Sequence, residues 1–547
     1  MRRNPAGILR LIFDSEYGPH DRFIPRWLFL RALAAIYFSA FYSLLFQIRG
    51  LIGPDGVLPA RLYLAAVARS LPALRYWFAP TLLWFSSGNA MLMAICWIGL
   101  AASVAALLNL WPRLNFLICF VCYLSFVAAA GDFSGYQSDG MLLEAGFIAL
   151  FFCPAGLLPG WGAYSPPSRA SLFLLQWEWF RIYFESGMVK LLSGDPEWRH
   201  LTAMDEYYQN GPLPTWVGWY VEHLPHWFHV STAGATLALE LGLVFLVFFP
   251  RRVRLVGFFI VTPWEIGVIL TANYTFLNYL VLALGFLLLD DGFLCRFVPV
   301  RLRLQAATTA QEPLREPDAP LSLFNNPEPA EEPPPVRRKV SHLGAIRLAI
   351  STVMLTWVAY VTTAELIRIP FPESPLPSAP IRALDPFRIA NRYGLFAVMT
   401  RGRYEIEFQG SNDGKTWTAY LFRYKPQAIN QPPGIYVPYQ PRFDWNLWFA
   451  SLGDWEQNSL VHFTEERLLS NSPDVLSLFR DNPFAAAPPK YIRAVLWQYW
   501  FTSMREKHDT GNWWRRQLLG LYAPVLTRQP DGKMGVVQWP EPLPPHN

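Results

Sequence analysis

Residues 173–192 read FLLQWEWFRIYFESGMVKLL, a stretch long and apolar enough to cross a bilayer as a helix of ~20 residues. Four charged side chains interrupt it: Glu178, Arg181, Glu185 and Lys190. At ~100° per residue the first three fall on one narrow face, while Lys190 points elsewhere near the end of the span. Because each charge at mid-bilayer costs roughly 2.5–3.5 kcal/mol on insertion scales, we expect this face to look into a protein core.

The composition of the whole chain agrees with a membrane location. Of its 547 residues, 52% are hydrophobic and only 16% are charged, whereas soluble domains contain ~25% charged residues. These values predict a polytopic α-helical membrane bundle joined to a soluble domain. The net charge of +5 is spread over the loops, and nucleic-acid binding would need a clustered basic face. We therefore expect no nucleic-acid partner.

Apolar segments of about span length predict eight or nine membrane crossings, and we take nine. They are approximately 27–46, 90–110, 114–130, 141–158, 170–192, 230–249, 255–272, 275–291 and 344–366. Several arginines precede the first segment, and others recur in alternate loops. By the positive-inside rule, this pattern predicts a cytoplasmic N-terminus and an extracytoplasmic C-terminal domain.

The chain divides into five parts by composition. Residues 1–303 form the multi-span domain, and 304–342, rich in Pro, Glu and Ala, are expected to be a disordered cytoplasmic linker. Residues 343–368 form the final transmembrane helix. An extracytoplasmic β-rich domain follows at 381–528, and 529–547 form a tail.

The C-terminal domain mixes strand and helix patterns. In residues 403–408 apolar and charged side chains alternate, which predicts a half-buried strand. Residues 444–452, 465–469 and 490–501 are expected to be helical. Together these segments predict a soluble α+β domain that is β-sandwich-like or a meander with helical additions.

Ionisable side chains recur within the predicted spans. This intramembrane polar core consists of Glu144, Glu178, Arg181, Glu185, Glu240 and Glu265. Such residues often mark a substrate, proton or ion site. They can equally form a structural network that locks helices together, and the sequence leaves both readings open.

Two polar loops flank these spans, with Asp139 beside the fourth span and Asp195 and Trp198 after the fifth. Histidines occur nearby, but no Cys or carboxylate completes a recognised metal-ligand spacing. No nucleotide-binding motif stands in a strand–turn–helix context. We therefore predict neither a metal nor a cofactor.

One aromatic face stands out in the C-terminal domain. Trp448 and Phe449 lie three and four residues beyond Trp445, so the three side chains can share one side of a helix. This face either packs on the sheet or stays exposed and holds unfolded clients, since large exposed apolar patches mark interaction surfaces.

Seven long stretches from both halves of the chain follow one another in a characteristic order. They are YQSDGMLLEAGFIALFF (136–152), FRIYFESGMVKLLSGDPEWRHLTAMDEYYQNGPLPTW (180–216), NYTFLNYLVLALGFLLLDD (273–291), NRYGLFAVMTRGRYEIEFQGSNDGKTW (391–417), PYQPRFDWNLWFASL (438–452), NPFAAAPPKYIRAVLWQYWFT (482–502) and WWRRQLLGLYAP (513–524). In this order they resemble the lipase maturation factor family, over nearly the whole chain except the linker and tail. Candidate client-binding or structural residues within the C-terminal stretches are Asn391, Tyr393, Arg403, Asp444, Trp445, Trp448, Phe449, Asn482 and Pro483.

The resemblance implies an integral membrane protein that secreted lipases need in order to reach an active folded state. Its partners would be membrane lipid and a secreted client, with a lipase as the client that the family implies. Family members in animals reside in the endoplasmic reticulum membrane. Here the C-terminal domain lacks cysteines and the composition looks bacterial, so we expect a bacterial plasma membrane, or the reticulum membrane if the source is eukaryotic.

The membrane half is also distantly similar to vitamin K-dependent gamma-carboxylase. The shared element is a lysine followed by an acidic residue and a tryptophan, here Lys190, Asp195 and Trp198. This similarity implies an alternative: a carboxylase- or epoxidase-like membrane enzyme with a quinone-type cofactor and Lys190 as catalytic base. We favour a maturation factor over an enzyme.

Overall fold

The structure is a computed structural model that describes residues 5–297 and 342–544. The predicted linker at 304–342 lies outside the described residues apart from His342. Residues 5–297 form these helices: α1 (Pro5–Phe13), α2 (Phe23–Leu45), α3 (Ile48–Ile52), α4 (Ala60–Ser70), α5 (Arg75–Phe78), α6 (Asn89–Leu107), α7 (Pro112–Val127), α8 (Gln137–Phe152), α9 (Arg169–Leu192), α10 (Pro196–Arg199), α11 (Tyr207–Asn210), α12 (Trp216–Glu222), α13 (His226–Leu241), α14 (Arg251–Thr271), α15 (Leu277–Gly285) and α16 (Asp291–Leu294). Short 3-10 helices occur at Ser15–Tyr17, Leu82–Trp84, Gly131–Ser134, Leu243–Phe248 and Phe286–Leu288.

Each of the nine apolar segments falls on a helix, but the helices differ in length and polarity. Within the described residues, five are long and apolar enough to cross a bilayer: α2, α6, α13 with its following 3-10 helix, α14, and α17 (His342–Arg368). The α8 helix ends at Phe152, and at ~1.5 Å per residue it is shorter than a ~30 Å hydrocarbon core. The α9 helix carries four charges between Glu178 and Lys190. The polytopic bundle is therefore confirmed, while the count of nine crossings stays a prediction.

The two ends of the bundle have different neighbours. At one end α2 begins beside Asp291, which accepts a hydrogen bond from the backbone N–H of Ile24 at 2.8 Å. The arginine-rich start of α14 lies at this same end. At the other end Gln47, just beyond α2, donates to the backbone oxygen of Gln440 at 2.9 Å. The C-terminal domain therefore sits on the end of the bundle opposite the arginine-rich one.

The C-terminal domain combines one antiparallel sheet with short helices. The helices are α18 (Ala379–Leu384), α19 (Arg442–Ala450), α20 (Ser459–Leu469), α21 (Pro473–Leu476) and α22 (Met504–Thr510), with a 3-10 helix at Asp385–Phe387. The strands are β1 (Arg403–Ser411), β2 (Thr418–Ala419), β3 (Tyr491–Phe501), β4 (Trp514–Leu521), β5 (Val525–Arg528) and β6 (Met534–Gln538). They follow the order β2-β1-β3-β5-β6, and β4 pairs with another part of β3.

The structure corrects three expectations for this domain. The described strands form one sheet, not the two of a β-sandwich. Residues 490–501 are not helical: they contain β3, the central strand, which pairs with β1 from Tyr491↔Ser411 to Tyr499↔Arg403. Its aromatic and β-branched side chains favour a pleated strand. The expected tail at 529–547 contributes β6, which pairs with β5.

The first strand also differs from its prediction, because β1 is buried along its whole length. The α19 helix packs on β1, and a loop of the membrane half contacts the side chain of Arg403. A strand covered on both faces buries its charged residues as well as its apolar ones. Those charges are therefore paired, with Arg403 and Lys425 both contacting Glu405.

Candidate functional site

The first structural feature of the site joins the two halves of the chain. Arg442, at the start of α19, donates to both carboxylate oxygens of Asp139, at 2.7 and 2.8 Å. The same guanidinium donates to the hydroxyl of Tyr123 at 2.8 Å and to the backbone oxygen of Phe133 at 2.6 Å. Asp139 lies in the first turn of α8, where the helix dipole favours a carboxylate. Both charged side chains are fully buried, so this bidentate pair is shielded from water.

A second buried network lies deeper in the bundle, around Arg181. Its guanidinium contacts Glu144 and lies 3.6 Å from Glu185. The residues that complete the network come from the C-terminal half. Asn391 accepts from Arg181 at 2.6 Å through its backbone oxygen, and the backbone N–H of Asn391 and the hydroxyl of Tyr393 each donate to Glu144 at 2.9 Å. The backbone N–H of Tyr393 donates to Glu185.

This arrangement changes how the polar core is interpreted. Glu144, Arg181 and Glu185 share this network, and each is at most 1% exposed. Glu178 is equally buried, but within the described residues neither of its carboxylate oxygens has a hydrogen-bond partner. The contacts of the other three side chains hold a segment that enters the bundle from the C-terminal domain. This geometry is that of an interdomain anchor.

Beside this anchor lies a cavity of about 810 Å3, which we call the junction cavity. Its walls come from α9, α13, α14, α15 and α19, and from residues 394–400. Lys190 contributes to one wall and donates to both carboxylate oxygens of Glu240, at 2.7 and 2.8 Å. Its ammonium also lies 5.1 Å from the centre of the Trp198 ring.

The remaining intramembrane carboxylate also lines the junction cavity. Glu265 of α14 accepts from the hydroxyl of Tyr183 at 2.7 Å and from the side-chain amide of Asn278 at 2.5 Å. The predicted polar core is therefore split in two. One part anchors the C-terminal domain, and the other, Glu240 and Glu265, lies at the cavity with partners of its own.

The loop residues singled out from the sequence hold the segment above the cavity. Asp195 accepts from the backbone N–H of Met399 at 2.6 Å, and the indole N–H of Trp198 donates to the backbone oxygen of Phe396 at 2.9 Å. Two residues of the lysine, aspartate and tryptophan motif thus contact residues 394–400 directly. The Lys190 amine donates to a carboxylate, so the carboxylase-like alternative gains no support from its geometry.

The aromatic face of α19 lies against the membrane half. Trp445 stacks on Tyr136 with ring centres 5.1 Å apart, and Trp445 and Trp448 are only 6% and 7% exposed. Phe449 is 47% exposed. All three line the junction cavity. The two tryptophans therefore do not form an open client surface, and Trp445 clusters with Ala272 and Tyr274 of the membrane half.

The other predicted residues lie away from the cavity. Arg403 donates to backbone oxygens of the loop that follows α11, at Gly211 and Pro212. Asp444 accepts from two backbone N–H groups of its own domain, and burial raises the pKa of its carboxyl to about 6. Asn482 caps a turn that includes Pro483, accepting from the backbone N–H of Phe484 at 3.0 Å.

Several residues that join the halves were not singled out from the sequence, among them Gln47, Arg442 and Asn273. Arg442 lies within the stretch 438–452, and its position at the start of an aromatic helix was the only sign of its role in the sequence. Asn273 accepts from the backbone N–H of Tyr436 at 2.8 Å and donates to the backbone oxygen of Gly434 at 2.9 Å. Within the part of the chain that the structure describes, no cluster of three or more His, Cys, Asp or Glu could hold a metal ion.

Both halves of the chain match known protein domains. The lipase maturation factor transmembrane domain matches residues 24–296, and the lipase maturation factor C-terminal domain matches residues 389–524. Lipase maturation factor 2 of Gallus gallus is 32% identical, covering 92% of this chain and 81% of the relative. Lipase maturation factor 1 of Bos taurus is 31% identical, covering 95% and 92% respectively.

The chain belongs to the lipase maturation factor family. Lipase maturation factor 2 of Homo sapiens is a further relative, 31% identical over 92% of this chain and 83% of its own. No solved structure matches. The two matched regions meet at the anchor, since Asp139 and Arg181 lie in the first and Asn391 and Arg442 in the second. The resemblance found in the sequence is thus confirmed, and the comparisons give the carboxylase-like alternative no support.

Proposed function

We propose that this protein is a membrane-bound maturation factor that helps exported proteins, lipases among them, to reach their active folded state. The observation that carries the proposal is the likeness to proteins named lipase maturation factor over 81% and 92% of their own lengths. That likeness extends over both domains, since one family model matches residues 24–296 and the other matches residues 389–524. We expect the protein to act by binding its client and not by covalent chemistry.

The geometry supports a fixed arrangement of the two domains. Buried ion pairs such as Arg442 with Asp139 hold the sheet domain against the bundle. Because that domain lies opposite the arginine-rich end, the positive-inside rule favours placing it outside the cytoplasm. We propose that nine helices cross the membrane and that a secreted client meets the outward domain.

The outer surface of the bundle indicates the membrane environment of the protein. The outward faces of α13 and α14 are apolar and largely exposed, so membrane lipid is their natural neighbour. We propose a bacterial plasma membrane as the location because the chain has the Ala-, Pro- and Arg-rich composition that is typical of bacterial proteins.

The test is complementation in cells that lack their own lipase maturation factor. This chain is expressed with a secreted lipase, and enzyme activity per mass of secreted lipase is measured. We expect the specific activity of the lipase to rise when the chain is present. The same measurement on a secreted protein of another class shows whether the range of clients extends beyond lipases. Equal specific activity with and without the chain would contradict the proposal.

The Arg505→Ala variant is a matched control, because Arg505 is an exposed member of a surface ion pair. It should support maturation like the unaltered chain. Arg442→Leu removes one partner of the interdomain pair and should reduce lipase activity. If both variants behave alike, the fixed domain arrangement is not needed for maturation.

A further inference from the structure

The junction cavity has the size and lining of a ligand site. Its volume of about 810 Å3 lies within the ~300–1,000 Å3 typical of small-molecule pockets. Most of its lining is apolar or aromatic, with Ile182, Val268, Leu277 and Val281 among its deeper residues. Its charged side chains already have partners, as described for Lys190. The long part of any occupant must therefore be apolar.

Several polar side chains that line the cavity have no hydrogen-bond partner within the described residues: the hydroxyls of Tyr136, Ser138 and Tyr274 and two indoles. The indole nitrogens of Trp445 and Trp448 are buried, and within the described residues neither donates a hydrogen bond. Both side chains are more than nine-tenths buried. An indole N–H can only donate, and a buried donor left unpaired destabilises the fold. The missing partner is therefore an acceptor, such as a carbonyl, ester or carboxylate oxygen.

The position of the cavity indicates where such a ligand comes from. The α13 helix packs on α9 and α14 packs on α15, so α13 and α14 form separate walls of the cavity. Both are candidate membrane spans. On α14, Val256, Phe259 and Ile266 are exposed on the outward face. A chain that enters between these walls comes from the bilayer.

We propose that the junction cavity binds one acyl chain of a membrane glycerolipid, whose ester oxygens accept hydrogen bonds from Trp445 and Trp448. The acyl chain lies between α9, α13 and α14, and the ester group lies beneath α19. A free fatty acid offers the same chemistry of an acyl chain ending in acceptor oxygens. The experiment below separates the two sources.

The full-length chain is reconstituted in vesicles of phosphatidylethanolamine and phosphatidylglycerol. A fraction of the phosphatidylglycerol carries a diazirine on one acyl chain. Irradiation and peptide mass spectrometry then locate the labelled residues. We expect labels on cavity-lining residues of α13 and α14, such as Thr236 and Val268. Labels confined to outward residues such as Ile266 would overturn the proposal.

A cavity-filling variant gives the decisive comparison. Gly267 lines the cavity, and a Cβ added there would meet no atom within 4 Å, so a side chain can start at this position and Gly267→Phe adds a ring to the cavity wall. We expect cavity labelling to fall by about tenfold, equivalent to ~1.4 kcal/mol. The matched control is Ile266→Phe, at the neighbouring, outward-facing position, which should leave cavity labelling unchanged.

Two further variants and a competition measurement test the proposal independently. Thr236→Phe fills the cavity from α13 and should act like Gly267→Phe, while Trp448→Phe keeps an aromatic ring but removes the N–H and should weaken labelling. Unlabelled phosphatidylglycerol should compete with the probe. If filling variants that retain a normal melting transition leave cavity labelling intact, or if only free oleate competes, glycerolipid binding in the cavity is refuted.

Discussion

Arg442 and Asp139 are separated by 303 residues in the chain, yet the guanidinium of one binds both carboxylate oxygens of the other inside the protein. Neither side chain has water to replace its partner, since both are fully buried. The pair sets the position of α19 on the membrane bundle, and with it the position of the sheet that α19 covers.

Removing one member of this pair should lower the stability of the folded protein. Arg442→Leu leaves Asp139 buried without its cation, and breaking a buried pair in this way typically costs ~3–5 kcal/mol. We expect a clear fall in the melting temperature of the detergent-purified full chain. The double variant Arg442→Leu with Asp139→Asn should regain part of the loss.

The control for this prediction is Arg505→Leu. Arg505 is 94% exposed in its pair with Asp509, and exposed pairs contribute ~0–1 kcal/mol. If Arg442→Leu melts like Arg505→Leu, the interdomain pair does not stabilise the protein.

The network around Arg181 allows a test of which carboxylate is its main partner. Arg181→Leu should lower the amount of folded protein in the membrane, because Glu144 and Glu185 lose their shared cation. A second change, Glu144→Gln, should restore more folded protein than Glu185→Gln does, because Glu185 is the more distant partner. Abundance is measured by gel filtration of solubilised membranes. Equal rescue by the two changes would contradict this ranking.

Asp444 should give the stability a distinct pH dependence. Burial raises the pKa of its carboxyl from 3.8 to about 6 in the folded state. Between these two pH values the folded protein binds the proton more tightly than the unfolded chain does. The contribution of Asp444 to the free energy of unfolding is therefore fully present below pH 3.8 and is lost as the pH rises to about 6. The loss is on the order of 3 kcal/mol, from 1.36 kcal/mol per pKa unit.

Asp444→Asn should remove this dependence while its side-chain oxygen still accepts from the backbone of Tyr424 and Lys425. Denaturant unfolding at pH 4 and pH 7 compares the variant with the unaltered chain. Asp413→Asn is a control that should leave the difference between pH 4 and pH 7 unchanged, since backbone hydrogen bonds from Thr416 and Lys415 lower the pKa of the Asp413 carboxyl to about 2. Its contribution is lost as pH falls below 3.8. Parallel pH profiles for the Asp444→Asn variant and the unaltered chain would show that Asp444 is not the source.

The proposed topology predicts opposite results from two reporter positions. A reporter active only in the cytoplasm should be silent after Asn547 and active when inserted within residues 304–342. A fusion after Arg528 would separate β5 from β6, so the end of the chain is the better position. Strong activity at both positions would require an even number of crossings.

The sequence was sufficient for features that depend on local pattern and composition. Each of the nine apolar segments predicted from the sequence falls on a helix, because span length and hydropathy are local properties. The strand beginning at Arg403 was also recognisable by alternation. The same reasoning failed for residues 490–501, where eleven residues between Tyr491 and Phe501 form the central strand. Pairing with β1, which lies far away in the chain, decided that outcome.

The sequence alone identifies the family of this protein and shows that it is a helical membrane protein. It also shows that several charged side chains must be buried inside the bundle. Those properties follow from residue order and from the cost of placing charge in lipid. Only the tertiary structure shows that Glu144 and Arg181 hold Asn391, and that Asp139 holds Arg442. Partners separated by hundreds of residues have no local signature, because a buried charge specifies that it needs a counter-ion but not which one.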